Sequence, residues 1–370
     1  MTIRNNALDI RFLDRPNTKE CWICSRENHA EGVGILENVY DVLNHYKLDP
    51  VFIRIFGTPK AVSEAKLILD TETNKSDCPP LLIAQNRLAN QANLHIQVYA
   101  LSTGQSVPLY YEGALVGRVF EDEHAAWYML RVLPDNAIVN PHDQTRSIFE
   151  KAHAILSECG GGGFPNTVRT WLFADSILSW YDQLNKARNQ FFENHDIYHQ
   201  LVPASTGIGT ANFHGKHLAT QLLAVRPKNG TVKRYSVDSP LQCPALNYRS
   251  SFSRAVKLDT RDHSRLYISG TAAIDKAGKT AFVGNAAAQL ELTMQVVEAL
   301  LEHAGMNWSN TVSSLAYFKD SRDFGLLDEY CCRRDIRLPH IKLQADVCRE
   351  DLLFEIELDA ACSLKKIPLF

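Results

Sequence analysis

The sequence predicts an α+β protein built from two similar domains. Three observations lead to this fold class. The chain has 370 residues, which is enough for two domains of ordinary size. One segment with the order helix, glycine, strand, helix occurs twice along the chain. Short runs of apolar or alternating residues, which are typical of strands, stand between the helical segments.

The repeated segment contains the tripeptide Asn-Thr-Val in both copies, at residues 166–168 and 310–312. In the first copy, an amphipathic helix predicted over 146–158 ends at four consecutive glycines and precedes the tripeptide. In the second copy, a helix predicted over 286–303 stands in the same place. A strand and a second helix follow each tripeptide, and the first of these helices is predicted around 179–192.

The domain boundary is predicted between the two copies. We assign residues 1–215 to the N-terminal domain and residues 216–370 to the C-terminal domain. Proline and glycine punctuate residues 201–210, which predicts a loop there. A hairpin is predicted next, with strands at 221–225 and 232–237.

Further elements are predicted from local patterns. A helix is predicted over 63–69. Strands are predicted from apolar runs at 51–57, 81–83, 94–100, 117–120 and 266–274. The last of these strands contains Gly270, and a glycine within a strand lets another group approach the backbone closely.

Composition and charge argue against several classes of function. The net charge is −3 at pH 7, which gives no support for a nucleic-acid or membrane partner. No stretch reaches the roughly 18 apolar residues of a membrane span, and the N-terminus has no apolar signal region. The nine cysteines are scattered, which predicts a reducing, cytoplasmic location. Cys21 and Cys24 lack the second ligand pair that a zinc site needs.

The C-terminal strand carries the most informative pattern. Phe354, Ile356 and Leu358 alternate with Glu355 and Glu357, so apolar side chains lie on one face and carboxyl groups on the other. One interpretation is a strand whose acidic face is solvated, as most charged side chains are. The other interpretation is a strand that directs a carboxyl group into a pocket, where it acts as a general acid or base.

The residues around this strand resemble a known family. The sequence DVCREDLLFEIE, at 346–357, is similar to the C-terminal motif of the chorismatases, which are two-domain relatives of the Rid (YjgF-type) proteins. The segments PASTGIG at 203–209, FSRA at 252–255 and YISGTAAI at 267–274 also have counterparts there. The resemblance implies two Rid-like domains of the chorismate-mutase-like type, each a mixed β-sheet with two helices on one face. The N-terminal domain would be a degenerate copy.

The resemblance also implies an enzyme that cleaves chorismate, with Glu355 as the catalytic acid. Chorismate is a dianion, and arginine pairs with a carboxylate through two parallel hydrogen bonds. Arg169, Arg254 and Arg333 fall on matching points of the family's motifs, and Tyr248 is a further candidate to hydrogen-bond the substrate. A carboxylic acid protonates the enol ether of chorismate best when burial raises its pKa towards neutrality.

Two positions bear on the product that the resemblance implies. Chorismatases that release a dihydroxycyclohexadiene carboxylate and pyruvate have alanine at the positions of Gly270 and Cys348. Those that release 3-hydroxybenzoate and pyruvate have glycine and cysteine, as this chain does. Glycine would give room for the ring to shift, and the thiol would act as a nucleophile or proton carrier. The other interpretation of Cys348 is a small buried apolar residue.

The resemblance further implies how the site is assembled. Rid proteins form trimers with pockets at subunit or domain junctions, so we expect such a junction to hold the site and expect a homotrimer. The reaction is redox-neutral and needs neither a metal nor an organic cofactor. The expected partner is a small dianionic substrate, and we expect neither nucleic acid nor membrane as a partner.

Two other functions stay open at this point. Rid-type imine or enamine deaminases have an arginine upstream of the catalytic glutamate, at the position that His340 occupies here. A non-catalytic protein that binds a small ligand would keep the fold without the reaction. The chorismatase strand after Arg-Thr-Trp often carries Asn and Tyr, where this chain has Leu172 and Phe173. This difference bears on the identity of the substrate.

Overall fold

The structure is a computed structural model that describes residues 1–26, 34–71, 77–85, 94–248 and 250–364. Helices pack against mixed β-sheets, which confirms the predicted α+β class. Within the described ranges, no helix combines the length and the apolar character that crossing a membrane requires.

The described part of the chain folds into three successive units of the same topology. Apart from one short additional strand, each unit has six strands in the spatial order first, second, third, sixth, fourth, fifth. The fourth and fifth strands are parallel and are joined by a helix, whereas the other neighbours are antiparallel. A second helix connects the third strand to the fourth. Each mixed sheet therefore comes with two helices, as the resemblance implies.

The bounds of the elements follow this threefold pattern. The first unit consists of β1 (Thr2–Arg4), β2 (Leu8–Asp14), β3 (Lys19–Ser25), α1 (Gly34–Tyr46), β4 (Leu48–Gly57), α2 (Pro59–Thr71), β5 (Leu81–Ala84) and β6 (Leu94–Ser102). The second consists of β7 (Ser106–Tyr111), β8 (Ala114–Glu121), β9 (Ala125–Val132), α3 (Pro141–Glu158), β10 (Thr167–Ala174), α4 (Tyr181–Asn194), β11 (Ala204–Gly209), β12 (Ala211–Asn212) and β13 (Leu218–Pro227). The third consists of β14 (Lys233–Val237), β15 (Ala255–Asp259), β16 (His263–Ala272), α5 (Ala286–His303), β17 (Thr311–Phe318), α6 (Gly325–Arg333), β18 (His340–Gln344) and β19 (Phe354–Ser363).

The repeat found in the sequence corresponds to the second and third units. The first unit has the same topology without the Asn-Thr-Val tripeptide, so the sequence predicts two units where the structure has three sheets. The short strand β12 pairs with β5 and extends the first sheet. The chain leaves the second sheet at Pro227 and enters the third at Lys233. The boundary at residue 215 therefore falls before the last strand of the second sheet, and as a division into domains it stays a prediction.

Two local predictions are wrong. Residues 204–209, within the predicted loop, form the edge strand β11, which pairs in parallel with β10. Its polar and glycine-rich sequence concealed a strand that the β10–α4–β11 crossover places in the sheet. The predicted hairpin does not form either. Strand β13 pairs with β9 and β10, whereas β14 pairs with β15, so the turn between them connects two sheets.

Apolar residues form two kinds of core. In each unit, one face of the sheet packs against its own two helices. The opposite faces of the three sheets meet at the centre of the molecule, where Phe52, Trp171 and Tyr317 come from the first, second and third sheets. Burial of each large side chain of this kind contributes roughly 1.5–3 kcal/mol to the folded state. The central core therefore holds the three sheets together and brings strands of different units into contact.

The local sequence explains how β10 is positioned. The side chain of Asn140 accepts hydrogen bonds from two backbone amides of the first turn of α3, and Pro141 occupies the first helical turn. The helix is followed by Gly160, whose φ of +81° is costly for other residues. This stop turns the chain back towards the centre, where β10 begins at Thr167.

Candidate active site

A cavity of about 860 Å³ lies between the second and third units. The second unit contributes side chains from β10, α4 and β11, and the third unit contributes β16, β19 and the segment before β19. A cavity of this size holds a small organic molecule. The site lies at a junction between two units of one chain.

Glu355 is a buried carboxylic acid of this cavity, whose lining also includes the exposed Asp182 and Glu193 on α4. It lies on the inner face of β19 and is 5% exposed. Among the described residues, none donates a hydrogen bond to its carboxyl group. Burial and the neighbouring Glu357 raise the pKa of Glu355 to about 8, against the opposing effect of Arg169 and Arg254. Glu355 therefore holds a proton at neutral pH.

Gly270 makes room for this carboxyl group. The pairing of β16 with β19 shifts register between Ile268 and Thr271, which places Gly270 in an irregularity of the strand. A Cβ atom at Gly270 would overlap Oε1 of Glu355 and lie 2.9 Å from its Cδ. The predicted close approach at Gly270 is therefore present, and the group that approaches is the carboxyl group of Glu355.

Glu357 lies two residues further along the same face in a different environment. Arg169 donates a hydrogen bond to its Oε2 at 2.7 Å, and Nη1 of Arg54 lies 3.6 Å from its Oε1. The acidic face of β19 is thus buried against the second and first sheets rather than solvated. Of the two carboxyl groups, one faces a cavity and the other is held by two guanidinium groups.

The three arginines that were predicted as substrate ligands occupy different places in the structure. Arg254 lines the cavity, is 3% exposed, and donates from Nε and Nη2 to the carbonyl oxygen of Cys243. Arg169 is fully buried behind the cavity wall, where it binds Glu357 and Thr206. Its role as a direct substrate ligand stays a prediction that this geometry does not favour.

Arg333 is remote from the cavity lining. It lies on the outer helix α6 with its side chain 66% exposed, and it pairs with Glu291 of α5 at 2.9 Å. Tyr248 ends a short 3₁₀-helix at Ala245–Tyr248, and its side chain lies outside the described part of the structure. The predicted contacts of these two residues with substrate remain untested.

Cys348 lines the cavity close to Glu355. Burial and the nearby Glu355 raise the pKa of the Cys348 thiol to about 12. A thiol that keeps its proton at neutral pH is a poor nucleophile. Of the two roles implied by the resemblance, this environment favours a proton carrier over a nucleophile.

Sequence reasoning missed the cavity wall formed by α4. Tyr181, Asn185 and Arg188 are spaced by one helical turn and face the cavity together. Arg188 is 3% exposed, donates to Oδ1 of Asn185 at 2.6 Å, and has a buried Nε without a hydrogen-bond partner among the described residues. The polar side chains along one face of the helix predicted around 179–192 were the signal that could have revealed this wall. Leu172 also lines the cavity. It is one of the two residues that differ from the chorismatase pattern, so this difference lies in the cavity wall.

A possible cation site lies elsewhere. Ligand atoms of Glu123, His124 and Asp262 lie within 4.8 Å of one another, and none of these residues lines the cavity. Arg15 and His263 already bind Asp262. The guanidinium group of Arg15, whose Nε lies 3.1 Å from Oδ2 of Asp262, would repel a metal cation bound here. We therefore interpret this cluster as an ion-pair junction between units.

Comparison with known proteins relates the chain to two groups. Residues 244–362 match the family model described as Endoribonuclease L-PSP. A 3-hydroxybenzoate synthase from Streptomyces hygroscopicus is 27% identical over 245 residues, which cover 58% of this chain and 68% of the relative. A chorismatase from the same organism is 27% identical over 219 residues, or 53% of this chain and 61% of the relative.

A solved structure gives the same relationship at the level of the fold. The crystal structure of a chorismatase superposes with a TM-score of 0.63, covering 97% of this chain and 99% of that one, at 17% sequence identity. The arrangement of three sheets around one core is therefore similar along nearly the whole chain.

Proposed function

We propose that this chain, a chorismatase-like protein related to the Rid family, cleaves chorismate to pyruvate and 3-hydroxybenzoate with Glu355 as general acid. One observation carries the proposal. A buried carboxyl group with its pKa raised to about 8 faces a cavity beside the arginines Arg188 and Arg254. Relatives of similar sequence are named for 3-hydroxybenzoate synthesis and for chorismatase activity.

The acid supplies the proton that makes the enolpyruvyl group leave. Glu355 protonates the terminal CH₂ carbon of the enol ether, and positive charge develops at the ether carbon. A water molecule adds to that carbon, and the resulting hemiketal releases pyruvate and a ring hydroxyl. Loss of one water from the ring then forms 3-hydroxybenzoate. The water that was added is returned, so the two products together contain the atoms of chorismate.

The cations of the cavity fit the charge of this substrate. Chorismate has two carboxylates, and Arg188 on α4 and Arg254 before β15 line the cavity from opposite units. A guanidinium group binds a carboxylate through two hydrogen bonds in fixed geometry. Binding between two arginines would orient the enol ether towards Glu355.

The ring product depends on the groups next to Glu355. Gly270 leaves the carboxyl group in a position that an alanine side chain would occupy. Cys348 remains a thiol at neutral pH, so it can pass a proton during loss of water from the ring. Glycine and cysteine at these positions favour 3-hydroxybenzoate over the dihydroxycyclohexadiene carboxylate.

The deaminase alternative receives no support from the position of His340. This residue lies on β18, near Asp328 at 3.8 Å, and is not part of the cavity lining. A histidine at this place cannot grip the carboxylate of an imine substrate in the cavity.

The test is to incubate the purified protein with chorismate and measure pyruvate with lactate dehydrogenase, while mass spectrometry identifies the ring product. The proposal predicts pyruvate and 3-hydroxybenzoate in equal amounts, with neither formed by the Glu355→Gln variant. Pyruvate with the dihydroxycyclohexadiene carboxylate would refute the argument from Gly270 and Cys348. Absence of pyruvate above background would remove chorismate as substrate, and 2-iminopropionate would be tested next.

A further inference from the structure

Glu357 stands at the point where all three sheets meet. Arg169 of the second sheet binds its Oε2 at 2.7 Å, and Arg54 of the first sheet lies 3.6 Å from its Oε1. Arg54 also donates to Gln97 of the first sheet and to Gln221 of the second, at 2.8 and 2.7 Å. All five side chains are buried. Because solvent does not screen Glu357, Arg169 and Arg54, their charges act on neighbouring groups more strongly than surface charges do.

Two contacts connect this network to Glu355. The two glutamates are two residues apart on one strand, so their side chains lie side by side on the same face. In addition, Oγ1 of Thr206 accepts hydrogen bonds from Arg169 at 2.6 Å and from the Gly270 amide at 3.0 Å. Gly270 in turn lies directly against the carboxyl group of Glu355. The position of Arg169 therefore bears on the position of the acid.

We infer that Glu357 is a positioning residue for Glu355, because its charge keeps the neighbouring carboxyl group protonated and its ion pair with Arg169 fixes the strand that carries both. The inference rests on the general-acid role proposed for Glu355. Ionisation of Glu355 would place a second negative charge beside Glu357 in a buried site, and like charges at this spacing oppose it. In its ion pair with Arg169, Glu357 is a carboxylate, and this negative charge opposes a second one beside it.

Other groups face Glu355 from the elements around it. They are Arg169 on β10, Tyr181 on α4, Arg254 before β15, Tyr317 on β17 and Cys348 before β19. The two arginines favour the carboxylate form of Glu355. Burial raises the pKa of both tyrosines and of the thiol, so these three groups are neutral at pH 7. Among these groups and Glu357, Glu357 is the one held as a carboxylate in an ion pair.

The test is a titration of the Glu355 side chain in protein labelled with ¹³C-glutamate, observed by NMR without substrate. Its resonance is identified as the one that is absent from Glu355→Gln. The wild-type midpoint is expected near pH 8. The Glu357→Gln variant is expected to titrate about one pH unit lower, because the neighbouring negative charge is lost and Arg169 remains. The Glu357→Asp variant retains the charge and is expected to stay near the wild-type midpoint.

A second variant keeps the inference testable if Glu357→Gln fails to fold. Arg169→Gln removes a cation that favours the carboxylate, so the midpoint is expected to move to higher pH, opposite to Glu357→Gln. The double variant removes both charges, and its midpoint is expected between those of the single variants. Equal midpoints in Glu357→Gln, Glu357→Asp and wild type would overturn the inference. The titration needs no turnover, so failure of the chorismate assay would not produce this result.

Discussion

Strand β19 of the third sheet and strand β6 of the first occupy the same place in units of the same topology. Glu355 pairs with Tyr317, the penultimate residue of β17, and His95 pairs with Phe56, the penultimate residue of β4. The corresponding residue of the second sheet is Ala219. Three equivalent positions of the fold therefore carry a carboxylic acid, an imidazole and a methyl group.

The surroundings of the first two positions differ as much as the side chains themselves. On the side of Glu355, the neighbouring unit presents Gly207, which lines the cavity. The register position equivalent to Gly207 in the third unit is Lys342, which pairs with Asp328 at 2.6 Å. Burial and Lys342 lower the pKa of His95 to about 4, so this imidazole is neutral at pH 7.

The comparison shows that the fold supplies the position and the side chains supply the chemistry. At Glu355, a carboxyl group without a hydrogen-bond donor among the described residues lies against Gly270, and Gly207 lines the same cavity. At His95, a lysine occupies the equivalent place. We therefore expect the Glu355 position to be catalytic and the His95 position to be structural.

The largest effect is expected from replacing Glu355, with a replacement of His95 as the comparison. Glu355→Gln keeps the shape of the side chain and removes the transferable proton, so the rate of pyruvate release is expected to fall by ~10²–10⁴-fold. His95→Gln is the matched control, with an expected change of less than about twofold. Initial rates with saturating chorismate measure both. Equal losses in the two variants would mean that the positions are equivalent after all.

A smaller effect is expected from closing the space beside Glu355. The Cβ atom of Gly270→Ala would overlap Oε1 of Glu355, so the carboxyl group must move, and the rate is expected to fall about tenfold or more. Gly325→Ala is the control, because nothing lies within 4 Å of its Cβ position. Product analysis should show a larger share of the dihydroxycyclohexadiene carboxylate for Gly270→Ala. An unchanged rate and product ratio would contradict the role of this glycine.

The last of these effects concerns substrate binding. Arg188→Met removes a cation from the cavity while keeping a side chain of similar length, and KM for chorismate is expected to rise by about 10- to 100-fold. Arg333→Met is the control, since that side chain is exposed on an outer helix. Steady-state kinetics separate KM from kcat. If Arg333→Met raised KM and Arg188→Met did not, the sequence-based choice of arginine would be right and the geometric one wrong.

The sequence predicted the elements in which local pattern and tertiary role agree. Helix α5 has the predicted bounds, because its caps, the following glycine and its apolar spacing are all local to the segment. Strand β11 was missed because its place in the sheet comes from pairing with β10, a contact that no local pattern records. The first unit was not recognised as a third copy, because it shares the strand order of the other two but lacks the Asn-Thr-Val tripeptide.

The candidate site was predictable only in part. Glu355, Gly270 and Cys348 stand in distinctive segments, and the structure brings them together in one cavity with Arg254. Whether a given arginine reaches that cavity depends on which unit packs against which. Sequence position alone could not distinguish buried Arg169 or exposed Arg333 from a cavity-lining residue such as Arg188.

The pH dependence of pyruvate release by the wild-type protein is the decisive test of Glu355 as general acid. Glu355 has a raised pKa of about 8 and must be protonated to act as the acid. We therefore expect kcat/KM to be nearly constant from about pH 6 to pH 7 and to fall about tenfold per pH unit well above pH 8. A kcat/KM that instead rises with pH through this range would rule out the general-acid role, because it would require Glu355 to act as a carboxylate base.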